Sequence, residues 1–427
     1  MREELRSNWK PPFFTIWIGQ AFSLLGSSLV QFALIWWLTE STGSATVLAT
    51  ATLVGLLPTI FVGPIAGALV DRRNRRVLMI VADAVIALAT VGLTLIFMAG
   101  RMNAWHVYAI MFIRALAGGF HWPAMLASTS LMVPEEQLTR VAGLNQTLNG
   151  IMSILAPPLG ALLLSIMPLQ SILAIDVGTA LIAIVSLFFI HIPQPQREPA
   201  KSGEEEKKAS VWKDVCAGLR YVRAWPGLLA ILVLGTLGNL LFNPAFSLLP
   251  LLVTGHFGGQ AIHLAWADMA AGIGVVLGGL ILSAWGGFRR RILTTLMGFV
   301  GIGVGLLIAG LAPAQTFWLA LGSLFIVGMA ISMVDGPLLA VIQTVVSPEM
   351  QGRVFTLLGS AAKATSPLSL LIAGPVADRF GVRVWYIIAG IGSVLMGVVA
   401  LFVPAIVHLE DDRGGSTAIK EPGDQAP

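Results

Sequence analysis

The chain has 427 residues, 56% of them hydrophobic and 11% charged, and a formal net charge of +4; its mean hydropathy is +0.84. A soluble chain carries roughly a quarter of its residues as charges, so a water-facing globule is excluded. Nucleic acid is not the expected partner of the basic excess, because the basic residues sort by membrane side rather than along one face.

Apolar runs of about 20 residues, enough to cross a roughly 30 Å hydrocarbon layer as helix, recur along the sequence. In chain order, twelve are expected near 13–38, 45–69, 77–99, 105–132, 140–165, 169–192, 225–252, 262–285, 291–312, 317–344, 353–377 and 383–408. Ten-residue alternation of the outer-membrane barrel type is absent. The expected fold class is an all-α membrane protein with twelve transmembrane helices. The opening "MREELRSNWK" runs into an apolar segment too long for a secretory signal and without a small-residue cleavage site, so the first helix is expected to be retained. Trp36 and Trp37 end that helix, either as an interfacial belt or as an aromatic cap over a substrate.

Between the second and third helices, "DRRNRR" (71–76) gathers one acid and four arginines. Short basic loops stay cytoplasmic, and placing this one inside puts both termini inside as well. All but five of the 26 Lys and Arg then lie on the cytoplasmic side; Arg101, Arg379 and Arg383 fall outside, Arg114 and Lys363 within helices. Topology alone is one sufficient reading of the arginines. Asp71 needs another, since acids contribute little to topology. Gly67 would let a neighbouring helix approach closely, and Asp71 would face the positive N-terminus of another helix or an arginine on it. With Arg72, Arg75 and Arg76 it would close the inner mouth, and Arg140 and Arg353 on later inner loops join the same expected gate.

Further along, "IPQPQREPAKSGEEEKKASVWKDV" (192–215) reads as a solvated linker, with a short surface helix near 211–223 as an option. The lone Cys216 lies there and has no disulfide partner. The linker divides a chain written twice. "FIRALAGGFHWPAMLASTSLMVPEEQLTRVAGL" (112–144) matches "FIVGMAISMVDGPLLAVIQTVVSPEMQGRVFTL" (325–357), with Phe112 against Phe325 and Arg140 against Arg353. The inner loop recurs as "GGFRRRIL" (286–293), without an acid at the Asp71 position. Two six-helix bundles are therefore expected, 1–192 and 223–427, joined by a linker at 193–222. This is the architecture of secondary transporters that rock about a midplane site.

With these residues in view, the sequence resembles the major facilitator superfamily over nearly its full length. "GALVDRRNRR" is similar to that superfamily's signature loop, with Asn74 where glycine is usual, a residue that tolerates a left-handed turn. "RALAG" (114–118) resembles the Arg-x-x-x-Gly pattern of its fourth helix, and "NGIMSILAPPLGA" (149–161) its antiporter motif with alanine at two glycine positions. "GQAFSLLGSSLVQFALIWWLTESTGSATVLA", "FHWPAMLAS", "VPEEQLTRVAGLNQ" and "AIDVGTALIA" resemble the macrolide-efflux branch of bacterial proton-driven drug antiporters, as do "GHFGG" and "GGLILSAWGGF".

Ionisable groups inside a membrane are costly and mark candidate function. The resemblance implies a proton-coupling role for Arg114; the plainer reading is an arginine satisfying carbonyls between helices. A buried acid can gain and lose a proton as a cavity alternates, which selects Asp176, Asp268 and Asp335. By analogy with the superfamily, Asp335 precedes a helix break at Gly336-Pro337 in a cavity-lining helix. Asp176 is expected to be partly solvated near the outer end of its helix, and Asp83 to pair with the arginines of the basic loop. Lys363 would serve as counter-ion to one of the acids. Polar stripes mark either the substrate cavity or interhelical hydrogen bonds: Gln20, Ser23, Ser27 and Gln31 on helix 1, Asn145 and Asn149 on helix 5, and Asn239 and Asn243 on helix 7. His121, two turns from Arg114, is either packed or part of that cavity.

No phosphate-binding loop, metal-ligand spacing or nucleophile elbow is present in the sequence, so no cofactor, metal or enzymatic activity is expected. The expected function is proton-coupled export of bulky amphipathic compounds, macrolide-like antibiotics first, across a bacterial inner membrane. A siderophore or other metabolite exporter of the same fold is the alternative, and a non-transporting sensor or scaffold the second. The expected partners are a small molecule, protons and the bilayer, with the chain acting as a monomer; an ATPase partner in the cell stays open. Asp71→Asn is expected to impair export while membrane expression stays near normal, checked by comparing drug accumulation with immunoblotted membrane fractions.

Overall fold

The structure, a computed structural model, describes residues 9–190, 192, 219–346 and 348–410; the side chains of 63–65, 67, 68, 71, 72, 348, 349, 352 and 363 lie outside that description. Among the described residues twelve helices are long and apolar enough to cross a membrane, and no strand is present. They are α1 (Lys10–Thr42), α2 (Ala45–Arg72), α3 (Arg75–Met98), α4 (Ala104–Met132), α5 (Leu138–Ile166), α6 (Leu169–Phe189), α7 (Pro226–Ser247), α8 (Ala261–Trp285), α9 (Arg291–Leu311), α10 (Phe317–Val345), α11 (Pro348–Phe380) and α12 (Val382–Leu401). Each falls on an expected run.

Local chemistry sets the ends. Gly43 takes a left-handed φ of 60° and its N–H bonds the Thr39 carbonyl, which stops α1. The Ser44 hydroxyl then accepts the Val47 N–H to start α2. Asn74 does not form the left-handed turn that its place in the basic loop allowed. At φ −67° and ψ 114° it is extended, and its side chain caps α3 by accepting the Val77 N–H. Two helices stop five or more residues short of the expected runs. α7 stops at Ser247, before a short helix at Leu249–Leu251 and a π turn at Leu252–His256, and α12 stops at Leu401 before a turn at Pro404–Val407. Pro250 and Pro404 supply no N–H to continue either helix. Pro337, by contrast, breaks nothing: α10 runs unbroken through it, as neighbouring helices allow in a membrane. Of the optional linker helix, residues 219–224 are helical and 211–218 lie outside the described residues.

The described residues fall into two compact units, one within Met1–Ser202, Phe246–Gly272 and Leu370–Val382, the other within Gly203–Ala245, Ile273–Ser369 and Arg383–Pro427. In the first, α1 packs on α6 and α5, and α4 on α2 and α3, while α3 also packs on α6. α3 has the polarity of a helix in lipid. Val81, Leu88 and Leu95 are exposed at seven-residue spacing, while Asp83 and Thr90 on the opposite face are buried. In the second unit α9 packs closely on α10.

Small residues let these backbones approach. On α1, a Cβ at Gly26 would lie 2.2 Å from the Thr179 hydroxyl and 3.1 Å from the Asp176 Cα of α6. Gly26→Ala is expected to lower stability by about 1–3 kcal/mol through overpacking, read as a lower unfolding temperature in detergent, whereas Gly92→Ala, where a Cβ meets open space, should leave it near wild type.

Candidate functional site

A charge inside hydrocarbon must be paired within the protein. Asp176 on α6 is fully buried, and both its oxygens are filled. Arg114 of α4 places Nη1 2.5 Å from Oδ2 and Nη2 3.5 Å from Oδ1. Thr90 of α3 donates to Oδ2 at 3.0 Å and Ser27 of α1 to Oδ1 at 3.3 Å. Arg114 Nη1 also donates to the Thr90 hydroxyl at 2.8 Å. Four helices thus meet on one carboxylate. The expectation that Asp176 is partly solvated is corrected: the tight α1–α6 crossing at Gly26 shuts water out.

A second carboxylate, Asp83 on α3, is also buried. Gln20 of α1 donates to its Oδ2 at 3.1 Å, and His121 Nε2 of α4 stands 3.4 Å from its Oδ1. Asp83 therefore faces α1 and α4, where pairing with the loop arginines was expected. Arg75 and Arg76 turn to backbone instead: Arg75 donates to the Ala127 carbonyl at 2.5 Å and Arg76 to that of Phe188.

Beside the first cluster the same unit holds a cavity of about 510 Å³, a volume usual for small-molecule sites. Its polar lining includes Ser27 and Gln31 of α1, Asn149 and Ser153 of α5, and Asp268 of α8. Ser27 therefore touches both the buried ion pair and the cavity.

Residues 16–368 match the sequence profile described as Major Facilitator Superfamily. The chain belongs to the major facilitator superfamily. This facilitator is 36% identical over 409 residues to Macrolide efflux protein A of Streptococcus pyogenes, a match covering 95% of this chain and 99% of that protein. It is 26% identical over 396 residues to the Multidrug efflux pump Tap of Mycolicibacterium fortuitum, covering 90% and 94%. Among solved structures, a POT family transporter in complex with 5-aminolevulinic acid superposes with a TM-score of 0.70 at 10% identity, over 92% of this chain and 96% of that one. That likeness concerns the fold alone.

The facilitator's remaining expected residues are scattered. Asn145 accepts the Trp17 Nε1–H at 2.8 Å, Asn239 donates to the Gly235 carbonyl at 3.1 Å and Asn243 to the Ser366 hydroxyl at 2.9 Å. These three, with Gln20 and His121, do not line the 510 Å³ cavity; for Gln20, Asn145 and Asn243 the interhelical reading of the polar stripes fits the contacts. Asp335 is exposed and lies in the other unit, in a groove of about 560 Å³ with Arg291 and Ser332. Arg140 donates to Gln137 at 3.2 Å and Arg353 contacts the Met350 sulfur at 3.6 Å, each reaching three residues back along its own segment. The side chains of Gly67, Asp71, Arg72 and Lys363 lie outside the described residues.

One polar contact had no forerunner in the sequence. Asp378, near the end of α11, accepts the Ser44 hydroxyl at 3.0 Å and the backbone N–H groups of Ala45 and Thr46 at 2.6 and 3.0 Å. It caps α2 from another helix, where the positive end of the helix dipole favours an anion. Losing a cap costs about 1 kcal/mol. Asp378→Ala should therefore raise amide hydrogen exchange at Ala45 and Thr46 about fivefold, the factor that such an energy represents; unchanged exchange would show that the contact carries no energy.

Proposed function

We propose that this facilitator exports bulky, largely apolar, cationic compounds from a bacterial cell in exchange for protons, with macrolide-like antibiotics first among them. The 510 Å³ cavity carries the reading. It offers apolar wall, a few hydrogen-bonding groups and one carboxylate, Asp268, for which a proton and a cationic drug compete. Binding the drug releases the proton; protonating Asp268 from outside releases the drug. Because the two occupants exclude each other on one carboxylate, movement of one is tied to counter-movement of the other.

The Arg114–Asp176 pair supports the cavity from behind. Through Ser27 it fixes the wall that faces the substrate, so a change of occupancy at the cavity is felt by α1, α3, α4 and α6 together. Drug relatives at 36% and 26% identity are consistent with such cargo. An anionic siderophore is disfavoured, since Arg114, the described cation nearest to that role, is already neutralised by Asp176 and does not line the cavity.

Alternation would rock the bundles 1–192 and 223–427, with both termini cytoplasmic and Asp71, Arg72, Arg75, Arg76, Arg140 and Arg353 latching the inner mouth. Asp335 and Lys363 would act in the second bundle. The transporter would work as a monomer driven by the proton gradient.

Expression in an efflux-deficient bacterium tests this. The chain should lower erythromycin accumulation several-fold, a protonophore should abolish the effect, and Asp268→Asn should return accumulation to the empty-vector level at equal membrane expression. Export that persists with the protonophore would contradict proton exchange.

A further inference from the structure

Two polar layers repeat along the first unit. Gln20 and Ser27 on α1, Asp83 and Thr90 on α3, and His121 and Arg114 on α4 are each seven residues apart. Seven residues are two helical turns, about 10 Å of rise. α4 runs opposite to α1 and α3, so its order reverses: Arg114 meets Ser27 and Thr90 around Asp176, while His121 meets Gln20 around Asp83. The Arg114–Asp176 layer adjoins the cavity through Ser27. The second lies nearer the basic loop, with Asp83 eight residues beyond Arg75 on α3.

The layers differ in chemistry. Arg114 keeps its charge at any physiological pH, so the Arg114–Asp176 layer is a fixed pair. The other replaces arginine by histidine, whose ring nitrogens can take up and give away a proton. Its Nε2 is buried and makes no hydrogen bond among the described residues, although Asp83 Oδ1 stands 3.4 Å away. A single proton between imidazole and carboxylate would draw this gap shut.

We propose that Asp83 and His121 form a second protonation site of the transporter, through which a proton leaves toward the basic loop. The inference rests on the exchange reading above and adds a proton to it. In the loaded state His121 Nε2 carries a proton facing the Asp83 carboxylate; on release the ring becomes neutral and the proton passes to water at the inner side. His121 keeps 16% of its side chain accessible against 4% for Asp83, so of the two groups the ring stands nearer to solvent. The groups around it are few. α1 presents neutral Gln20; α4 and α6 contribute Arg114 and Asp176, two turns away and paired with each other; α2 has no titratable group among its described side chains, Asp71 and Arg72 lying outside them. Arg75 at the start of α3 bonds the Ala127 carbonyl.

The test counts protons released when erythromycin binds purified protein in weakly buffered detergent solution near pH 6.5, with a pH dye. Wild type should release more than one proton per drug bound. His121→Asn and Asp83→Asn, each verified to bind erythromycin, should release about one fewer, and His121→Asn should flatten the pH dependence of binding that wild type shows. A merely structural role would leave both readouts unmoved in the binding-competent variants, and that result overturns the proposal. Should neither variant fold, the wild-type count decides. One proton overturns the second site and leaves antiport standing; none overturns the exchange reading itself.

Discussion

A carboxylate cannot stay charged within a helical membrane bundle unless other helices bring it donors. Asp176 meets that demand with Arg114, Thr90 and Ser27 from three other helices, and much of the first unit follows. Gly26 is small because α1 must reach the carboxylate. α3 is polar on its buried side and apolar on its exposed side because Thr90 must reach it too. Breaking such a pair by removing one partner costs about 3–5 kcal/mol, so these helices are expected to act as one body and to share any change at their common wall.

Function grows from where that wall ends. Ser27 is the last member of the buried network and a lining residue of the cavity that holds Asp268. One carboxylate is thus spent on structure and another left to face the cavity. On the proposed reading, a single contested negative charge in mostly apolar surroundings would select cations with large greasy bodies, with few directional contacts. Broad drug specificity and proton exchange would then be two aspects of one geometry.

Most of the architecture was legible in the sequence because hydrocarbon is an undemanding reader: run length and charge placement suffice to find α1 through α12. Helix ends were legible where glycine or a capping side chain stands, as at Gly43 and Ser44, and misread where proline acts a few residues ahead, as at Pro250 and Pro404. The polar stripe of α1 was visible as a period, and Ser27, Gln31 and Asn149 do line a cavity. Which partner each stripe residue takes was not visible, since Gln20 and Ser27 share a face yet serve different acids. Burial was misjudged at Asp176 because distance from a helix end says nothing about what packs there. Asp378 escaped notice because an acid beside Arg379 at a helix end reads as solvated charge; only the fold brings it to the start of α2.

In the proposed mechanism Asp268 exchanges a proton for the drug. Infrared difference spectroscopy of the purified transporter, recorded on adding erythromycin, observes that event through the stretching band of a protonated carboxyl group. Wild type should lose such a band when the drug binds, and Asp268→Asn should lack the change. A band that disappears equally in Asp268→Asn, or no carboxyl change in a drug-binding wild type, would contradict the claim.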